Sequence, residues 1–184
     1  MNKHGVWTIV PREKNMPVIP VKWVFAIKKN GTYKARLVVV GCCVKEKYKP
    51  ADKASPTPKS DTVRWLFAHA SYSKTPFVQI DISTAYLHAN IDRLKYIALP
   101  PGVSGNKKKE VCKLNRALYG LATAPKCWYE TFDEKLKTYS FERSIREHCL
   151  YTKENGASKI IILVYVDDVL LTATMKIFSL KLLQ

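Results

Sequence analysis

The sequence predicts an α+β fold, a mainly antiparallel sheet with helices on one face. Three observations carry that reading. Asn30-Gly31 sits between two apolar runs, the strongest short-range hairpin signal. Apolar residues recur at helical spacing in Val63, Leu66, Phe67 and Ala70, and again in Trp128, Tyr129, Phe132 and Leu136. A run rich in β-branched residues opens at Ile160, bends at Asp167-Asp168 and resumes at Val169. With 184 residues, 47% of them hydrophobic, the chain can bury one core, or one domain plus an arm.

Each element follows from local chemistry. Val21 to Ile27 and Tyr33 to Val40 form the arms of a hairpin spanning 21–40, with Lys29-Asn30-Gly31 as its turn. Residues 44–60, polar and interrupted by Pro50, Pro56 and Pro58, read as a loop. A helix follows, with Ser60 or Asp61 as its cap. Phe77 to Ile82 is a short strand carrying Asp81 near its end, and Ser83 to Ala89 turns the chain. Tyr96 to Leu99 is a strand stopped by Pro100-Pro101-Gly102, Gly105 to Lys109 is a basic loop, and Val111 to Leu114 is another strand. Tyr119-Gly120-Leu121 breaks the chain before a helix whose first turn holds Pro125. Cys149 to Tyr151 leads through Asn155-Gly156 into the Ile160 strand.

The formal charge of +16 calls for a polyanionic partner. Residues 1–60 hold 13 Lys or Arg against 3 acids, so the first third is a basic module on a more balanced core. That third contains no amphipathic basic helix, which favours nucleic acid over an anionic membrane. The five cysteines form no zinc-type pairs and read as small apolar fillers in a reducing compartment, with Cys42 or Cys43 exposed. The four histidines are scattered. No apolar leader and no 18-residue apolar stretch is present, so neither secretion nor membrane spanning is expected.

Asp167 and Asp168 end an apolar strand, where paired carboxylates are costly unless a positive charge sits on them. A divalent ion would meet that need, since hard cations take carboxylate oxygens. An ordinary Asp-containing hairpin turn is the competing reading. A third carboxylate, Asp81, also ends a short apolar strand. If its strand pairs beside the Asp167-Asp168 hairpin, three hard ligands meet at one sheet edge and suit magnesium, in a two-metal site of roughly 3.5–4 Å spacing. Asp81 could instead cap the turn that follows it. Lys34 and Arg36, two apart on one strand face, could hold a triphosphate or form a solvated face.

With these stretches in view, the chain resembles the reverse transcriptase domain of copia-type LTR retrotransposons. The resemblance rests on KWVFAIKKNGTYKARLVVVG (22–41), DTVRWLFAHA (61–70), FVQIDISTAYLHANI (77–91), YIALPPGV (96–103), VCKLNRALYGLATAPKCWYE (111–130) and ILVYVDDVLLTA (162–173). It implies right-hand polymerase fingers and palm over residues 1–173, with the fingers hairpin at 21–40 and the palm core from about 61. It also implies copying of an RNA or DNA template–primer with deoxynucleoside triphosphates. Asp81, Asp167 and Asp168 then match the catalytic, metal-binding aspartates. The implied cofactor is Mg2+, as two ions, with Mn2+ able to substitute. Tyr86 matches the residue that excludes a ribose 2′-OH. Gly120 and Pro125 match the segment beneath the template–primer and incoming base pair, and Tyr119 the place of a nucleotide-facing polar residue. Lys34 or Arg36 matches the triphosphate contact, without a choice between them.

The sequence also departs from the family. Lys45 to Lys53 is more basic than usual, Asp92-Arg93-Leu94-Lys95 replaces a more acidic stretch, and Ala122-Thr123 stands where Lys-Gln is common. The segment 174–184 matches nothing in the family, and the thumb is missing. An interrupted element copy is therefore expected, with weak or absent polymerase activity as this chain alone. The alternatives are a non-catalytic basic nucleic-acid-binding remnant or a relic without function. The family's other partners are the protease, integrase and RNase H of its polyprotein. Its setting is cytoplasmic element particles, with the nucleus also open.

Overall fold

The computed structural model describes residues 5–44, 46–156 and 158–174. The strands are β1 (Trp7–Pro11), β2 (Val18–Ile19), β3 (Val21–Ile27), β4 (Tyr33–Val39), β5 (Phe77–Asp81), β6 (Tyr96–Ile97), β7 (Glu110–Leu114), β8 (Glu142–Arg143), β9 (Leu150–Asn155), β10 (Ser158–Tyr165) and β11 (Asp168–Ala173). The helices are α1 (Pro50–Lys53), α2 (Ser60–Tyr72) and α3 (Ala124–Thr138). The fold is mixed α and β, mostly sheet with few helices. Residues 175–184, nearly all of the segment 174–184 that showed no resemblance to the family, lie outside the described residues. The chain divides into two compact units, Met1–Ala54 with Tyr86–Trp128, and Ser55–Ala85 with Tyr129–Gln184.

The first unit holds a sheet of order β1-β7-β6-β2 and the separate hairpin β3-β4. Its apolar interior includes Val6, Leu37, Val39, Ile97, Leu114 and Leu118. The hairpin matches its sequence signal: Gly31 takes φ +79° in the turn, and its N–H donates to the Lys28 carbonyl at 2.8 Å. The base of the hairpin is fixed by backbone. Val39 N–H donates to the Tyr119 carbonyl at 2.8 Å, and Val38 bridges Tyr119 in parallel. Gly120 is at φ +89°, and a Cβ there would collide with the Val39 carbonyl and lie 2.9 Å from Val38 Cγ1. Gly41 makes the reciprocal approach, since a Cβ would stand 2.7 Å from the Gly120 carbonyl oxygen.

A second anchor holds the connector after the hairpin. Lys95, almost fully buried, pairs with Asp92 at 3.2 Å and Glu46 at 3.4 Å. Its ammonium also stands 5.5 Å from the Tyr48 ring, whose hydroxyl bonds Glu46. The unusual Asp92–Lys95 stretch and the basic segment that holds Glu46 and Tyr48 therefore meet in one ion cluster, and the buried lysine is paired as burial demands.

The second unit is a fully antiparallel sheet of order β5-β11-β10-β9-β8. Leu66 of α2 shares a buried cluster with Cys149, Ile161 and Leu163, and Phe67 packs on Phe77 with ring centroids 4.5 Å apart. Tyr151, opposite Ile162, belongs to the other face, and its hydroxyl donates to Asp133 of α3 at 2.9 Å. Helices thus cover both faces of this sheet, not one as the sequence suggested. The reason lies in β10: Ile161, Ile162, Leu163 and Val164 are all buried, and a strand apolar on both faces needs cover on both.

Two buried carboxylates serve structure here. Asp133 also pairs with Lys137 at 2.7 Å and Arg143 at 3.3 Å. Glu147 does the work expected of Ser60 or Asp61. Helix α2 starts at Ser60 with Lys59 as its cap residue and no side-chain cap of its own. Instead Glu147 accepts from the Lys59 N–H at 3.0 Å and the Thr62 hydroxyl at 2.9 Å. This places a negative charge at the positive end of the helix. The thiols fit their role as fillers: burial pushes Cys112 up to about 11 and Cys149 up to about 12, while Cys42 and Cys43 are exposed.

Burial raises the pKa of Glu147, but the bonds from Lys59, Thr62 and Cys149 outweigh it, and the carboxyl ends below its ordinary value of 4.5. A depressed folded pKa stabilises above the unfolded value and loses that contribution as pH falls through the folded one. The thermal midpoint should therefore drop more steeply below about pH 4.5 in the native chain than in Glu147→Gln; parallel pH profiles would disprove the role. Gly120→Ala should cost ~1–3 kcal/mol from its backbone angle alone, read as a lower urea midpoint, and an unchanged midpoint would contradict the close approach.

Candidate active site

Asp81 is the last residue of β5 and Asp168 the first of β11, and the antiparallel register places them directly opposite each other. Residues so paired share a face, with Cβ atoms about 4.5–5.5 Å apart. Asp167 precedes Asp168 in the turn, and its carbonyl accepts from the Ile82 N–H at 2.7 Å. Three carboxylate residues separated by some 86 positions are therefore gathered at one sheet edge by strand pairing alone.

The turn is tight. Tyr165 pairs with Asp168, leaving Val166 and Asp167 as a two-residue loop. Val166 takes φ +55° and Asp167 does not share the positive angle, which is the type II′ pattern. That angle is unfavourable for a β-branched residue, at about 1–3 kcal/mol. The twist of the strongly paired β10 and β11 holds it there. Strain of this kind concentrates at functional sites.

Exposure lowers the cost the sequence posed. The apolar residues of β10 are buried, whereas Asp81 and Asp167 are exposed and Asp168 is half-buried. The carboxylates sit just past the covered part of the sheet and keep their hydration. Asp168 Oδ1 accepts from the Gln79 side-chain amide at 3.1 Å, and Asp81 Oδ2 from the Ser83 hydroxyl at 3.5 Å. Gln79, two residues before Asp81 on the same face, attracted no attention in the sequence, because a lone Gln in a strand carries no signal of its own.

As a donor set, three ionised carboxylates suit a hard divalent cation. The side chains as they stand are not gathered on one point: among the described residues, no three His, Cys, Asp or Glu form a metal-holding group. Backbone positions put Asp81 and Asp168 within reach of a common ion, and rotation of the Asp81 side chain away from Ser83 would complete the approach. Asp81, Asp167 and Asp168 are the residues that could hold it.

The residues matched to nucleotide binding meet in the first unit. Arg36 and Lys34 share the face of β4 that the alternation predicts. Arg36 Cζ stands 5.7 Å from the centroid of the Tyr119 ring, and Tyr119 meets Tyr86 at 4.9 Å with ring planes at 56°. A guanidinium against an aromatic ring, itself packed on a second ring, makes a continuous cationic and aromatic surface. Gly120 lies beside it, and the backbone it approaches is that of Val39.

The family model for reverse transcriptase (RNA-dependent DNA polymerase) matches residues 4–181. The chain is 35% identical over 178 residues to the retrovirus-related Pol polyprotein from transposon TNT 1-94 of Nicotiana tabacum, covering 93% of the chain and 13% of that protein. It is 34% identical to the corresponding polyprotein from transposon RE1 of Arabidopsis thaliana, over 90% of the chain and 12% of that protein. With the transposon Ty1-ER2 Gag-Pol polyprotein of Saccharomyces cerevisiae it shares 32% identity over 84% of the chain and 8% of that protein. The chain thus spans about an eighth of the two plant relatives. It belongs to the reverse transcriptase family, in the copia-type group found in retrotransposon Pol polyproteins.

Proposed function

We infer that this chain supplies the catalytic part of an RNA-directed DNA polymerase that adds deoxynucleotides to a primer 3′-OH. The observation that carries the reading is the register of Asp81 against Asp168, with Asp167 in the strained turn beside them. In the right-hand description of such polymerases, the β3-β4 hairpin acts as fingers and the β5-β11-β10 strands as palm. The primer hydroxyl oxygen attacks the α-phosphorus, a new P–O bond forms, and pyrophosphate leaves while the hydroxyl proton passes to solvent or a carboxylate. Magnesium, or manganese in its place, would lower the pKa of the attacking hydroxyl and neutralise charge on the leaving oxygens.

Asp81, Asp167 and Asp168 would ligate the cations. Arg36 would hold the triphosphate, with Lys34 adding charge from the same strand face. The packing of Arg36 on Tyr119 favours it over Lys34 as the positioned contact, since a guanidinium stacked on a ring loses less freedom when it binds phosphate. Tyr86 would press on C2′ of the sugar and leave no room for a hydroxyl. Template–primer and deoxynucleoside triphosphates are the proposed partners, with other Pol domains completing the enzyme.

A second reading is a basic nucleic-acid-binding module without catalysis. It is favoured by the +16 charge and the basic surplus of residues 1–60. Among the described residues no helix is long and apolar enough to cross a membrane.

Magnesium-dependent primer extension on a homopolymer template separates the two. Asp167→Asn should lower extension on the order of 100-fold or more, the loss of several kcal/mol of charge stabilisation. Binding of template–primer should persist, because removing a negative charge does not weaken attraction to a polyanion. Equal extension by both chains would end the polymerase reading. Under either reading binding should be strongly salt-dependent, falling roughly 10³-fold between 50 and 200 mM salt if about six phosphates are contacted; a flat response in filter binding would contradict the role of the charge.

A further inference from the structure

Gln79 is a neutral donor that reaches Asp168 at the open end of the sheet. It lies opposite Leu170 on β5, diagonal to Asp168 and two residues before Asp81. Alternation puts Phe77, Gln79 and Asp81 on the same face. Phe77 packs against α2 through Phe67, whereas Gln79 and Asp81 lie in solvent. An exposed glutamine gains little from burial, and a solvent-exposed hydrogen bond contributes little to stability. The chemistry of the contact is more telling than its energy. The Gln79 amide donates to Asp168 Oδ1 at 3.1 Å.

An ionised carboxylate offers about four lone-pair sites on two oxygens. One amide donor fixes the rotation of the group and still leaves Oδ2 and a further lone pair on Oδ1. A lysine at the same position would fix it too, but its charge would compete with a divalent cation for the same oxygens. An apolar residue would leave Asp168 free to swing. Glutamine is thus the residue type that orients the carboxylate without neutralising it.

We propose that Gln79 is a positioning residue for Asp168, holding its carboxylate in the orientation from which it shares a divalent cation with Asp81. The inference rests on the reading of Asp81, Asp167 and Asp168 as cation ligands. Groups that orient a metal-binding carboxylate in this way typically contribute 10–100-fold to metal affinity.

The test is Mn2+ binding to the full 184-residue chain, read by loss of the free-ion electron paramagnetic resonance signal. It is run on the native chain, Gln79→Leu and Asp168→Asn, with the thermal midpoint of each measured alongside. The expected result is tight binding by the native chain and loss of that site in Asp168→Asn. Gln79→Leu should bind roughly 10–100-fold more weakly at an unchanged thermal midpoint. Native-like affinity in Gln79→Leu, with the site lost in Asp168→Asn, would overturn the role of Gln79 and leave the metal site standing. Equal binding by the native chain and Asp168→Asn would overturn the metal site and the role of Gln79 together. Weaker binding that tracks a fall in thermal midpoint would overturn positioning in favour of a structural contact.

Discussion

The pairing of β11 between β10 and β5 is the constraint on which the candidate site depends. One register sets everything at once: Asp168 against Asp81, Val169 against Ile80, and Leu171 against Val78. A slip by one residue would exchange the two faces of β11 and take Asp168 away from its place opposite Asp81 on a shared face. The buried residues of β10 and β11 therefore fix the position of the three aspartates at the strand ends. Hydrophobic burial is non-directional, but through the two-residue alternation of a strand it becomes a positioning device for chemistry at the strand end.

The turn between β10 and β11 shows how stability is traded against geometry. An Asn-Gly or Gly-containing turn would join these strands without strain. Val166 is held at a positive φ instead, and both flanking strands must be well paired for it to stay there. Both faces of the sheet carry a helix, so the strands have the packing to impose that angle. Glu147 and Asp133 contribute from opposite sides, one tying α2 to the loop before β9, the other tying α3 to Tyr151 and Arg143. Each buried carboxylate has several partners, as an isolated one would be too costly to bury.

In the first unit the decisive contacts are between backbones. Gly41 and Gly120 let the end of β4 and the Tyr119–Gly120 segment approach more closely than any side chain permits. This approach carries Arg36 to Tyr119 and Tyr119 to Tyr86. Gly120, which the resemblance matches to the segment beneath the template–primer, also makes room for the backbone of Val39. Cationic and aromatic groups collected this way need no long-range charge pairing, because the hairpin base already sets their separation.

Much of this was legible in the residues themselves. The Asn30-Gly31 hairpin, the α2 and α3 stripes, and the strands ending at Asp81 and Asp168 all follow from local periodicity and turn chemistry, which are short-range properties. The three aspartates could be singled out because a carboxylate after an apolar run violates the local pattern. What the sequence could not show were the contacts made between distant segments. β1 went unread because Trp7–Pro11 is a short run whose strand is completed by pairing with the distant Glu110–Leu114. The cap of α2 lies at Glu147, 87 residues beyond the Ser60 that local preference named. Helices were expected on one face only; the run of β10 is buried on both, and only packing decided which helix took which face. Gln79 is the plainest case: its side chain means nothing until register sets it diagonal to Asp168. The sequence determined the kinds of element and the identity of the acids, since those depend on neighbours along the chain; the tertiary structure alone decided orientation and partnership, since those depend on neighbours in space.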